Sequence, residues 1–328
     1  MKPDPQTKII LDTDPGGDDA FAFLWLASLI QQDLAKLVAV TATDGNVQAS
    51  LTFTNACKLL QLTGLDQVEV GRGVLNPDQA MANAAMIHGH DGLGNLAHTL
   101  PVPHQNYQTA RFSDEILIET LTNYPGDITI VALGPLNNLA AAEIKSPGIL
   151  QAAKEIVLMG GAFRVPGNVT PEAEFNIAYN PEAAALVFNQ CQNLVILPLD
   201  VTRSLIFTPE MANDISQNAP DQPITQFIQS LCQSMSKASL AHRETQGIQG
   251  FLVHDAVTLA YLFYPETLQF YRARTDVETV GQFTRGRTLA DFRHQTKLPA
   301  NAWVAATVDP VNLLACLIED LKCLGTFS

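Results

Sequence analysis

The sequence predicts an α/β fold, a single Rossmann-like domain over residues 1–328 with a mostly parallel central sheet flanked by helices. Three observations carry this expectation. Short β-branched apolar runs at 8–14 (KIILDTD), 37–43 (LVAVTAT), 127–133 (DITIVAL), 155–159 (EIVLM) and 194–200 (LVILPLD) alternate with helical stretches such as FAFLWLASLI and TFTNACKLLQL, the pattern of βαβ units. The runs are apolar at nearly every position, so helices should cover both faces of the sheet. No repeat, low-complexity tract or linker divides the chain. Toward the C-terminus the pattern is less regular, with strands expected at 271–280 and 302–308 and a closing helix at 311–321.

Two segments interrupt the alternation: 76–108, rich in Gly, His, Asn and Pro, and 162–174, which carries PGNVTPEAE. Loops this long in a compact domain are usually functional or disordered. Hydrophobic residues make up 47% of the chain and charged residues 16%, enough for a core and far from the composition of disorder. The net charge of -14, with no Lys/Arg cluster, argues against a nucleic-acid partner. No run of ~18 apolar residues is present to span a membrane, and the N-terminus leads straight into an apolar strand without an export signal. Cys57, Cys191, Cys232, Cys316 and Cys323 lack CxxC spacing. They are expected to be reduced thiols acting as small buried hydrophobes in a cytoplasmic protein.

The strongest chemical signal is DTDPGGDD, which places Asp12, Asp14, Asp18 and Asp19 where the first strand ends and the first helix begins. Ligands bind at that edge of open α/β sheets. One of these acids could cap the helix, but carboxylates converging there repel one another unless a cation sits among them. Oxygen-only ligands favour Ca²⁺ or Mg²⁺ over Zn²⁺. Asp255, in VHDA before an apolar helix, is the best distant acid to complete such a site, although taken by itself an N-cap is the better reading. Asp-x-Asp at the end of a first strand also opens haloacid-dehalogenase-type phosphatases, with Asp12 as nucleophile, Asp14 as acid and Mg²⁺ as cofactor. The ALGPLNN and EFN segments serve that alternative poorly.

The DTDPGGDDA stretch resembles the N-terminal signature of the inosine-uridine-preferring nucleoside hydrolases. The likeness continues in order through Asp44-Gly45-Asn46, His88-Gly89, Asp91-Gly92-Leu93-Gly94, 132–138 (ALGPLNN), 157–161 (VLMGG), Gly167-Asn168, 174–176 (EFN) and His254-Asp255. Each motif is weak alone; the ordered set covers nearly the whole chain. The resemblance implies the nucleoside hydrolase fold, Ca²⁺ as cofactor, a homotetramer or homodimer, and a small-molecule ribonucleoside of the inosine, uridine or cytidine type cleaved to free base and ribose. It implies Asp14 as general base and metal contact, with Asp19, Asp255 and the Leu133 carbonyl as further metal ligands and Asp12 supporting them. Asp18, Asn46, Met159, Asn168, Glu174 and Asn176 would hold the ribose, and His88 and His254 would face the base.

This set suits the chemistry. Breaking a ribosyl C–N bond builds oxocarbenium character, so the ring must be held and water supplied on the opposite face; calcium and Asp14 would orient and deprotonate that water. The departing base gathers negative charge, and His254 is the candidate donor. Purine-selective relatives stack the base between tryptophans, whereas this chain has only Trp25, on the first helix, and Trp303, in a late strand. His242 stands where some members carry a tyrosine near the base. A catalytically silent, calcium-dependent ribonucleoside-binding protein would be expected to lack Asp14 or His254, and both are present.

Overall fold

The computed structural model describes residues 6–75, 82–217 and 219–324. Its strands are β1 (Thr7–Thr13), β2 (Ala35–Ala42), β3 (Val70–Gly71), β4 (Ile128–Ala132), β5 (Glu155–Met159), β6 (Leu194–Leu197), β7 (Ile206–Phe207), β8 (Phe251–Leu252), β9 (Leu268–Val277), β10 (Thr288–Asp291) and β11 (Ala302–Val308). Nine form one sheet in the order β10-β9-β11-β6-β5-β4-β1-β2-β3, and β7 pairs with β8 apart from it. Pairing is parallel from β3 across to β11; β9 and β10 join antiparallel at one edge. The expected mostly parallel sheet flanked by helices is therefore present.

The differences from the sequence reading have local causes. Proline has no N–H to donate to a ladder, so β6 stops at Leu197 before Pro198, and Leu199–Thr202 turns into a short helix. The late strand expected at 271–280 starts earlier, at Leu268, and ends at Val277. Strands β3, β7 and β8 are two residues long, too short to show a period. Of the loop at 76–108, residues 76–81 lie outside the described residues; the rest holds short helices at Ala85–His88 and Ala97–Thr99.

From β1 the chain runs to one side of the sheet for β2 and β3, then returns to the other side for β4, β5 and β6. The carboxyl ends of β1 and β4 thus flank the switch point where α/β folds open a crevice. The helix that follows β1, Gly17–Gln31, is buried on nearly every side, as its unbroken apolar sequence requires. Trp25 on that helix is a core residue: its Nε1 donates to Asp320 Oδ2 at 2.7 Å in the closing helix Pro310–Leu324. Cys57, Cys191 and Cys232 are buried as expected, whereas Cys316 and Cys323 are only partly so; none of the five is in a disulfide. Among the described residues no helix is long and apolar enough to cross a membrane.

Candidate active site

Strand β1 delivers two acids at its carboxyl end. Asp12 is fully buried, and its Oδ2 accepts from Thr41 Oγ1 at 2.7 Å and Asn138 Nδ2 at 2.8 Å. Asn138 also donates to the Ala42 carbonyl at 3.0 Å, so Asp12 ties β1 to β2 and to the helix after β4. Burial pushes its carboxyl up to about 7 against those hydrogen bonds. Walled in this way, Asp12 is unsuited to the nucleophile's role that a phosphatase would require.

Asp14 is 1% exposed. Its Oδ2 accepts from the Asn46 backbone N–H at 2.7 Å, and its Oδ1 has no hydrogen-bond partner among the described residues. The carboxylate lies between two glycines with no room to spare. A Cβ on Gly45 would sit 2.1 Å from Asp14 Oδ2, and one on Gly134 2.3 Å from Oδ1. Neither glycine has a positive φ, so space rather than backbone conformation demands them.

The first helix contributes the next pair. Asp19 Oδ1 accepts from Thr13 Oγ1 at 2.6 Å; its Oδ2 accepts from the Gly16 N–H at 2.9 Å and from Asn46 Nδ2 at 3.0 Å, so this acid closes the helix N-terminus as well as facing the site. Oxygens of Asp18, Asp19 and Asp255 lie within 4.8 Å of one another, all buried. Asp255 precedes the helix Ala256–Phe263, yet its side chain makes no capping hydrogen bond; the carboxylate turns to the cluster instead.

Burial, then the charge of neighbouring carboxylates, holds Asp14, Asp18 and Asp255 well above the usual carboxylate range. Asp19 is raised by burial too, with the Thr13 and Gly16 hydrogen bonds pulling it back. Among the described residues no Lys or Arg pairs with any of the four; only His88 Nδ1 approaches Asp18 Oδ1, at 4.0 Å. That nitrogen accepts the Gly17 N–H at 3.0 Å, so it carries no proton to offer. Buried carboxylates with an unpartnered oxygen and no protein cation fit a hard divalent ion held by oxygen ligands. Asp18, Asp19 and Asp255 could hold one.

Above the acids opens a cleft of about 950 Å³ whose lining includes Asp18, Asp19, Asn46, Met159, Asn168, Glu174, Asn176, His88, His242 and His254. Asp14 lies beneath this floor. Glu174 caps the helix Phe175–Tyr179, accepting from the N–H groups of Asn176 and Ile177, and also takes the Gly161 N–H at 2.9 Å. Asn176 Nδ2 donates to the carbonyls of Leu133 at 2.7 Å and Met159 at 3.1 Å; a carbonyl has two lone pairs, so Leu133 keeps one for another partner. Asn168 is exposed, and its Oδ1 accepts the Phe175 N–H at 2.9 Å. His254 Nδ1 pairs with Thr202 Oγ1 at 2.8 Å. Burial lowers His88 to about 4; burial, then the charge of Arg203, lowers His254 to about 3. Both rings are neutral at neutral pH. His242 ends the helix Pro223–His242. Neither tryptophan lines the cleft.

The sequence reading missed the residues that fix these groups: Thr41 and Asn138 on Asp12, Thr13 on Asp19, Thr202 on His254, the two glycines around Asp14, and Arg203 in the cleft wall. One signal was available for Thr202 and Arg203, which follow the end of β6 in LDVTR, on the ligand-binding edge of the sheet.

Fold and site together define an α/β enzyme with a carboxylate centre that could hold a cation at the switch point of its sheet. The sequence model of the inosine-uridine preferring nucleoside hydrolases matches residues 9–315. The chain is 35% identical over 317 residues to the non-specific ribonucleoside hydrolase RihC of Salmonella heidelberg, covering 96% of this chain and 97% of that protein. It is 33% identical over 323 residues to a probable uridine nucleosidase 1 of Oryza sativa subsp. japonica, with 96% of each covered. Among solved structures, a plant nucleoside hydrolase superposes with a TM-score of 0.84 at 32% identity, over 97% of this chain and 99% of that one. A purine-preferring ribonucleoside hydrolase from Gardnerella vaginalis gives 0.88 at 27%, over 98% and 100%. The chain belongs to the inosine-uridine preferring nucleoside hydrolase family, whose members are N-glycosyl hydrolases.

Two tests follow from the geometry. Gly134→Ala puts a methyl group against Asp14 Oδ1; a role for that carboxylate in the chemistry predicts that kcat falls by about a hundredfold, the order that a displacement of about 1 Å can cost, while the melting temperature drops only a few degrees. Turnover within about twofold of the parent, a factor worth roughly 0.4 kcal/mol, would mean that this seat is not needed. The second test uses pH. The folded protein binds protons at Asp12, Asp14, Asp18 and Asp255 more tightly than the unfolded chain, so chelated protein is most stable below the ordinary carboxylate range and loses stability as pH rises through the raised values. For Asp12, raised from 3.8 to about 7, the loss is on the order of 4 kcal/mol. Melting in EDTA should therefore fall between about pH 4 and 7, and an excess of a divalent cation that the cluster binds should flatten the slope.

Proposed function

We propose that this protein is a Ca²⁺-dependent ribonucleoside hydrolase that cleaves the N-glycosidic bond of uridine, inosine and cytidine-type ribonucleosides to free base and ribose. One observation carries the reading: Asp18, Asp19 and Asp255 converge under the cleft, above an Asp14 whose Oδ1 has no partner. Asp14, Asp19, Asp255 and the Leu133 carbonyl would hold the ion. Calcium, when bound, supplies the positive charge that keeps these carboxylates ionised and adds an acid site for water and ribose hydroxyls.

Asp14 acts as general base, taking a proton from the water that attacks the anomeric carbon. Asn46 fixes the direction of attack by holding Asp14 Oδ2 through its backbone and Asp19 through its amide. Asp18, Met159, Asn168, Glu174 and Asn176 form the ribose seat. Glu174 is held by three backbone N–H donors, so it is positioned before substrate arrives. At the other end of the sugar, His88 and His254 face the base. Each is neutral, so what they offer the departing base is an N–H hydrogen bond. We further propose a cytoplasmic homodimer or homotetramer serving nucleoside salvage.

The test is reducing-sugar release from uridine, cytidine, inosine, adenosine, guanosine and 2′-deoxyuridine, with and without EDTA. Ribose release that fails on chelation and returns with Ca²⁺ is expected. Asp14→Asn should lower kcat by a factor of about 10² to 10⁴ with the melting temperature preserved. No release from any nucleoside, with only a ligand-dependent rise in melting temperature, would make the protein a binder. Turnover by Asp14→Asn at the parent rate would remove Asp14 from the chemistry.

A further inference from the structure

Arg203 stands in the wall of the same cleft, directly after the Thr202 that pairs with His254. It is half-buried, and Nη2 donates to the Gly167 carbonyl at 2.9 Å. No carboxylate pairs with it among the described residues, whereas Arg111, Arg274, Arg285 and Arg287 each have one. A guanidinium carries five N–H donors and accepts nothing. A half-buried cation with donors to spare in a ligand-sized cleft is placed to take an acceptor supplied by the ligand.

The surroundings say which part of the ligand that is. Just after Arg203, Ile206 pairs with Leu252, and both line the cleft with Phe251; on the other side of Arg203, Thr202 pairs with His254, so the guanidinium belongs to the His254 side of the cleft, where apolar surface fits the faces of a planar heterocycle. Of the ribose-seat residues, Asp18, Glu174 and Asn176 are polar and buried, and Asp18 belongs to the acid cluster. The Arg203 guanidinium therefore meets the polar edge of the base.

We propose that Arg203 is a specificity-determining residue that reads the exocyclic group on the outer edge of the base, favouring a carbonyl oxygen over an amino group. This rests on the hydrolase reading above and refines it. A carbonyl at position 4 of a pyrimidine or position 6 of a purine accepts the guanidinium N–H. An amino group there brings donor against donor and leaves both unsatisfied inside the cleft, and a site built to hydrogen-bond one group discriminates strongly against its replacement. Uridine and cytidine differ at that edge, as do inosine and adenosine.

The experiment compares kcat/KM for these four nucleosides in the Ca²⁺-loaded parent protein and in Arg203→Met and Arg203→Lys. The parent should favour uridine over cytidine and inosine over adenosine by about tenfold or more, the size of one charge-assisted hydrogen bond. Arg203→Met should bring both ratios toward unity, whereas Arg203→Lys, which keeps the charge and the donors, should retain the preference. An equal loss on all four substrates would overturn the proposal and leave Arg203 as a support for the loop at Gly167. So would a parent that favours the amino bases. If the parent releases ribose from none of the four, the hydrolase reading itself falls, and this inference falls with it.

Discussion

Carboxylates buried close together repel one another, and water is too far away to screen them. At the carboxyl end of β1 the chain gathers Asp14, Asp18, Asp19 and Asp255 with no Lys or Arg to pair with them among the described residues. Such a cluster is tolerable only if protons or a cation neutralise it. Much else at this end of the molecule can be read as a consequence. Hydrogen-bond donors from Thr13, Gly16 and Asn46 hold the acids in fixed positions, and glycines give Asp14 its narrow seat. A folded protein accepts that electrostatic strain where function uses it.

The sheet topology explains why the strain can be focused on one spot. Because β1 sits between β2 and β4, with the chain leaving in opposite directions, three strand ends and one helix start meet there. Asp12 behind the site links these elements through Thr41 and Asn138. The outer β9 and β10 are remote from this junction, and their residues were accordingly harder to connect with any role.

Across the cleft the physics changes sign. Much of its wall is apolar, His88 and His254 are neutral, and Arg203, Arg243 and Glu244 are the charged residues away from the acid floor. An acidic floor and a cationic wall suit a substrate that becomes positive at the sugar and negative at the base as their bond breaks. The same polarity would serve poorly for an anionic substrate such as a phosphate ester, whose charge would face the acids.

The alternation of apolar runs was enough to define the α/β class, the parallel sheet and its covered faces, since burial on both sides leaves a continuous hydrophobic signature. The spacing in DTDPGGDD and the order of the later motifs led to the family. Spacing along the chain could not say what each acid does once folded. Asp19 both caps a helix and faces the site, Asp255 resembles a cap and is not one, and Asp14 lies below the floor instead of on it. Thr202, Asn138, Gly134 and Arg203 lie far in sequence from some of the groups they touch or face; their motifs and strand-end positions marked the neighbourhood of a site, but not which group each one holds. Local sequence determined which backbone elements form, because hydrogen bonding and hydrophobic period are local. Only the tertiary structure decided which side chains share a buried space, and charge repulsion, tautomer and steric fit all depend on that sharing.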